Sequence, residues 1–146
     1  MVKIYFTIIV LMIFSTKAIA APDCKANENE ACRAAQEIVA MYSDVLPMKM
    51  NENITLEKAA ALKKIVQFTA VLIYSKQELE TALSRKGMTF KDMNTQLIGM
   101  TRTGTCQENS ETLAFISLGG QFQYDIKYSD GTSLLTIDIK DCEKIQ

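Results

Sequence analysis

Between Gln121 and Ile139 apolar and polar positions alternate almost without error. Phe122, Tyr124 and Ile126 precede Asp130-Gly131, and Leu135, Ile137 and Ile139 follow it. A period of two marks a half-buried strand, and Asp-Gly marks a tight hairpin turn, because its residues tolerate positive φ. Read as a two-residue loop, Asp130-Gly131 pairs Phe122 with Ile139, Tyr124 with Ile137 and Ile126 with Leu135. All six then share one side of the ribbon. The other side carries Gln121, Gln123, Asp125 and Lys127, with Leu134, Thr136, Asp138 and Lys140. One face reads as core and the other as wet.

Upstream, Ala31, Ala35, Ile38, Tyr42 and Val45 recur at three- and four-residue steps, predicting an amphipathic helix over Glu28–Val45, capped by Asn27 and stopped by Pro47. Met48 to Asn53 is polar, lacks a period and reads as a loop. The next segment opens with the helix formers Glu57 to Ala61 and turns β-rich near Lys63, so a strand is expected over Ile65–Tyr74 with Val66, Phe68, Ala70, Leu72 and Tyr74 on one face. The other face is half apolar, which predicts cover on both sides. Ser75 and Glu78 have capping-box spacing for a helix from Lys76 to Gly87. Thr89 and Asp92 form a second, weaker box before Phe90, Met93, Leu97 and Met100, with Gly104 beyond the end. A short helix is expected over Glu111–Leu118, with Asn109 or Ser110 as cap and Gly119-Gly120 as exit. A hairpin alone is marginal in water and must pack on other elements. The predicted class is α+β: a small antiparallel sheet of three strands, or four if part of Met48–Leu62 or Gly99–Thr105 is extended, packed against several helices.

The first twenty residues have a different pattern. Lys3, an apolar run over Ile4–Phe14 and Ala18-Ile19-Ala20 have the form of a cleaved export signal. The run is well short of the ~20 residues that span a bilayer. Ala21-Pro22-Asp23 before Cys24 does not have the form of a lipid-attachment site. The expectation is a segment 1–20 removed before Ala21, then one domain over 21–146 with no stable membrane insertion, in the periplasm or secreted. Removing Lys3 and Lys17 from 16 basic residues leaves 14 against 17 acidic, a net charge of −3. That balance offers no footprint for nucleic acid.

All four cysteines, Cys24, Cys32, Cys106 and Cys142, follow the expected cleavage point. An even number in an exported chain predicts two disulfides. Of three pairings, spacing favours Cys24 with Cys32 and Cys106 with Cys142.

The chain contains no histidine. Ser-His-Asp and Cys-His nucleophilic machinery and most transition-metal sites are thereby excluded. No phosphate-binding glycine loop is present, and no cofactor or metal is predicted. The remaining enzyme hypothesis is a carboxylate pair, Asp125 with Asp138, diagonal neighbours on the wet face that could share a proton or bind a hard cation. Lys127 and Lys140 on the same face point instead to an ordinary solvated surface. Of eight methionines, Met48 and Met50 flank Lys49 in a polar stretch and are candidates for partner contact. Asn53-Ile54-Thr55 has the form of a glycosylation sequon.

Leu46-Pro47 after a first helix, a strand closing at Tyr74, Cys106, a short helix ending at Gly119, Tyr124, Asp130-Gly131 and Cys142 together resemble small exported bacterial proteins of the quorum-sensing-regulated virulence factor type. The resemblance spans most of the chain after the export signal. It implies an exported α/β domain with a Cys106–Cys142 disulfide and brings no catalytic residues. The reading that follows is a non-enzymatic protein that binds another protein, in virulence, secretion or toxin neutralisation. Asp125, Lys127, Asp138, Lys140, Met48 and Met50 are its candidate contacts. The alternatives are a carrier of a small apolar ligand in a cavity lined by Phe68, Leu72 and Tyr124, and a carboxylate-based hydrolase.

Overall fold

The structure is a computed structural model and describes residue 24, residues 30–108 and residues 110–142. The expected export signal and the caps Asn27 and Asn109 lie outside the described residues. In chain order the elements are α1 (Glu30–Ser43), β1 (Met48–Asn51), β2 (Ile54–Leu62), β3 (Ile65–Leu72), α2 (Lys76–Arg85), α3 (Phe90–Thr105), α4 (Glu111–Ser117), β4 (Gln121–Lys127) and β5 (Ser133–Ile139). The fold is α+β, with a sheet of five strands in the order β1-β2-β3-β4-β5. Two disulfides, Cys24–Cys32 and Cys106–Cys142, staple it.

The sheet has five strands against the expected three or four, and Met48–Leu62, where one further strand was allowed, supplies two, β1 and β2. β1 replaces the loop expected after Pro47, pairing antiparallel with β2 at the sheet edge. β2 runs through the alanine-rich helix formers and turns at Lys63-Lys64, where Lys63 adopts φ +55°. Tertiary packing overrides propensity here. Ala59 and Ala61 of β2 pack into the same core as fully buried Ala31 and Ala35 of α1, and α1 lies against β2 and β3.

The sheet is mixed, not wholly antiparallel. β3 and β4 are parallel, with Ile65 opposite Gln121 and Val71 opposite Lys127. Three helices separate these strands in the chain. They return it to the starting end of β3, where Gln121 N–H donates to the Lys64 carbonyl (2.9 Å), and a crossover of this kind produces a parallel pair.

The hairpin holds the expected pairs Phe122–Ile139, Tyr124–Ile137 and Ile126–Leu135. Its loop is longer than two residues: Gly131 N–H donates to the Tyr128 carbonyl and Tyr128 N–H to that of Thr132, both 2.9 Å. Gly131 takes φ +83°, the left-handed third position of a three-residue loop. That loop displaces the pairing by one, giving Lys127–Ser133, and a bulge that leaves Leu134 unopposed restores the register at Ile126–Leu135. Leu134 is consequently half-buried against the core and not on the wet face.

Val66, Phe68, Ala70 and Leu72 join Phe122, Ile126, Ile137 and Ile139 in one core. Buried side chains of all four helices except α3 enter it, and α3 adds half-buried Phe90, Met93 and Leu97. Phe115 stands edge-on to Phe122 at 5.0 Å, and Tyr42 edge-on to Phe68 at 4.9 Å. The described helices therefore all cover one face of the sheet. The two-sided cover expected for β3 is absent among the described residues, and Ile73 is 55% exposed.

Both capping boxes form. Ser75 and Glu78 open α2, and Thr89 and Asp92 open α3. α3 continues through Gly104 to Thr105. Its C-terminal end is held to the chain after β5 by the Cys106–Cys142 disulfide and by an ion pair between Arg102 and Asp141.

Candidate functional site

The helix-covered face is not sealed. An open groove of about 390 Å3 lies over it. Its floor is Ile54 and Leu56 of β2, Phe68 and Ala70 of β3, and Tyr124 and Ile126 of β4. Its walls are Tyr42 of α1, Met48, Met50 and Asn51 of β1, and Leu97, Met100, Thr101, Gly104 and Thr105 of α3. A register shift between Lys49 and Asn51 leaves Met50 unpaired and sets Asn51 opposite Ile54, which turns Asn51 toward the groove beside the two methionines. Met50 is 58% exposed and Met100 is 67% exposed, so apolar side chains of a strand and of a helix stand open on the same groove.

Asn51, Thr101, Thr105 and Thr112 interrupt the apolar lining. Thr105 is the buried polar residue of the described core, and its Oγ1 donates to the Thr101 carbonyl (2.8 Å) while lying 2.8 Å from Tyr124 Oη. Thr112 Oγ1 donates to the Thr105 carbonyl. Burial pushes the Tyr124 phenol above its ordinary value, partly offset by the Thr105 hydroxyl. Tyr124 stays a neutral phenol at neutral pH.

Met48 and Met50, singled out by sequence, are thus brought together at the groove. Met48 is half-buried against the core and pairs with Leu56, while Met50 stands at the rim. Asp125, Lys127, Asp138 and Lys140 lie on the sheet's opposite face, and that face is cross-linked. Asp125 accepts from Gln67 Nε2 (2.6 Å) and Thr136 Oγ1 (2.9 Å). Asp138 accepts from Gln123 Nε2 (3.2 Å) and Gln121 Nε2 (3.3 Å), and Gln67 also donates to Gln123 Oε1 (3.1 Å). The two carboxylates are bonded to neutral amides and a hydroxyl, not to each other. Among the described residues no group of three or more Cys, Asp and Glu could hold a metal ion.

Leu97, Met100, Thr101 and Thr105 are groove residues that sequence reading did not select. A helical methionine reads as core, and only the position of α3 over the sheet shows otherwise. The cavity expected between Phe68, Leu72 and Tyr124 is replaced by this open groove, which includes Phe68 and Tyr124 and leaves Leu72 in the core.

No protein-family model matches the chain, and no curated protein matches it in sequence. Solved structures do share its architecture. The pilotin EpsS from the Vibrio vulnificus type 2 secretion system is similar at a TM-score of 0.61 and 14% identity, over 78% of this chain and 93% of that one. A candidate secreted protein from Pseudomonas aeruginosa is similar at 0.58 and 13% identity, over 75% of this chain and 88% of that one. At these identities the likeness defines a shared fold, one that includes a secretion-system pilotin.

Proposed function

We propose that this chain is an exported, non-enzymatic binding protein whose groove holds an apolar segment of another protein in a secretion-related role. The observation that carries the reading is the exposure of Met50 and Met100 on two different elements lining one apolar groove. A small ligand in a pocket is covered over most of its surface. A groove with open methionine rims suits an occupant large enough to cover them, such as an amphipathic helix, and methionine adapts to such occupants. The absence of histidine from the sequence supports binding over catalysis. Two disulfides fit the oxidising periplasm or exterior. The fold shared with a pilotin supports the link to secretion. A role in virulence, implied by the family resemblance, belongs to the same proposal.

Photo-crosslinking tests it. A photoreactive residue replacing Met50 or Met100 should capture the same polypeptide in cells that export the protein, and one replacing Thr136 on the opposite face should not. Capture from Thr136 alone would move the interface to the wet face. Adducts of small mass alone would make the protein a carrier.

A further inference from the structure

The hydroxyls at the groove floor can be assigned proton by proton. Thr105 has one hydroxyl proton, and its 2.8 Å contact with the Thr101 carbonyl uses it, because a carbonyl only accepts. The second 2.8 Å contact, between Thr105 Oγ1 and Tyr124 Oη, must then be filled by the phenol proton. Tyr124 Oη therefore donates toward Thr105 and turns its lone pairs away. No other described residue supplies it with a hydrogen-bond donor. Of the other polar side chains of the lining, Thr112 Oγ1 donates to the Thr105 carbonyl and lies 2.8 Å from Ser110 Oγ, Asn51 Oδ1 accepts from Asn53 N–H, and Asn51 Nδ2 and the Thr101 and Tyr42 hydroxyls each keep a proton to donate.

We propose that Tyr124 Oη is the specificity-determining acceptor of the groove, and that the docked segment presents one N–H or O–H donor within an otherwise apolar stripe. The inference rests on the groove being a docking site for a protein segment. In the free protein, water in the open groove can serve the phenol oxygen. An apolar occupant would expel that water and leave a buried acceptor unpaired, whereas an occupant with a donor at this point replaces it. Selectivity then arises as it does wherever a site's own polar atom must be satisfied. Apolar contact holds the segment, and the phenol fixes its register.

Amphipathic helical peptides with an all-leucine stripe test this. Each stripe position is replaced in turn by Gln, by its near-isostere Met, or by methionine sulfoxide, which accepts but cannot donate, and binding is followed by fluorescence anisotropy. At one position Gln should bind at least as tightly as Met, against a weakening elsewhere. Tyr124→Phe should cost that Gln peptide about tenfold, a neutral hydrogen bond's worth, and should tighten the Met peptide at the same position, which no longer buries an unpaired acceptor. Thr105→Val frees the phenol proton, so methionine sulfoxide should gain at the same position, an inversion that a merely structural role would not produce. Circular dichroism should show both variants folded, since Tyr124→Phe leaves Thr105 bonded to Thr101 and valine fills the volume of threonine. Gln weakening binding equally at every position, or Tyr124→Phe affecting Gln and Met peptides alike, would overturn the inference and leave the groove reading standing. Binding of no peptide at all would overturn both.

Discussion

Gly120 has no room for a side chain, because a Cβ there would overlap the ring of Phe115. Its N–H also donates to the Phe115 carbonyl at 3.0 Å. The residue therefore does more than end α4. Gly119, at φ +86°, makes the turn, and Gly120 lets the chain pass beneath the ring into β4. Gly120→Ala is expected to lose about 1–3 kcal/mol through overpacking. At Gly99 of α3 a methyl group would meet nothing within 4 Å, so Gly99→Ala should gain up to ~1 kcal/mol. Urea denaturation of the pair checks both signs.

The two disulfides should differ in what they contribute. Cys106–Cys142 closes a sequence separation of 36 residues and Cys24–Cys32 one of 8. Loop-closure entropy assigns them ~4 and ~2.5 kcal/mol respectively. Paired alanine variants compared in guanidinium should reproduce that order. A larger loss on removing Cys24–Cys32 would contradict it.

Acid should destabilise the protein through three turn and cap carboxylates. Asp130 is held below the usual carboxylate range by the side chain and then the backbone N–H of Thr132, Asp92 by the Thr89 side chain and then its backbone, and Glu78 by the Ser75 backbone and then its side chain. Each folded pKa is depressed, so its contribution is complete above the unfolded value and is lost as pH falls through the folded one. The thermal midpoint should accordingly drop below about pH 5. Asp130→Asn, Asp92→Asn and Glu78→Gln keep an acceptor but cannot titrate, and together they should flatten that drop. An unchanged acid slope in the triple variant would refute the assignment.

Asn94 Oδ1 in α3 is buried without a donor. An unpaired buried acceptor costs about 1–3 kcal/mol, and alanine is the better helix former. Asn94→Ala should raise stability by about 1 kcal/mol in urea. A loss of similar size would mean that the amide has a structural use.

The hairpin was legible residue by residue, because alternation and turn chemistry are both local. Its pairing Phe122–Ile139 was right although the loop length was not: the three-residue loop and the bulge at Leu134 offset one another. Burial of one apolar face is what holds a register, and that face is written in the side chains. β2 was not legible. Its Ala59-Ala60-Ala61 run favours helix, and the Lys63-Lys64 turn carries no glycine or asparagine to announce a hairpin. Of the candidate site, Met48 and Met50 could be found because methionines in a polar stretch stand out, whereas Met100 and Thr105 could not.

Capping boxes, the stop at Gly119, the apolar stripe of the last two strands and the absence of histidine follow from residues close together in the chain. Their energetics depend on neighbours a few positions away, so local chemistry was enough. The parallel union of β3 with β4, the choice of strand for the alanine run and the groove between β1 and α3 depend on contacts between residues tens of positions apart. Those are set by how helices of given length return the chain to the sheet and by which surfaces pack closely. The acceptor at Tyr124 is the sharpest case: its free lone pairs arise only because Thr105, on another element, spends its proton on the helix behind it.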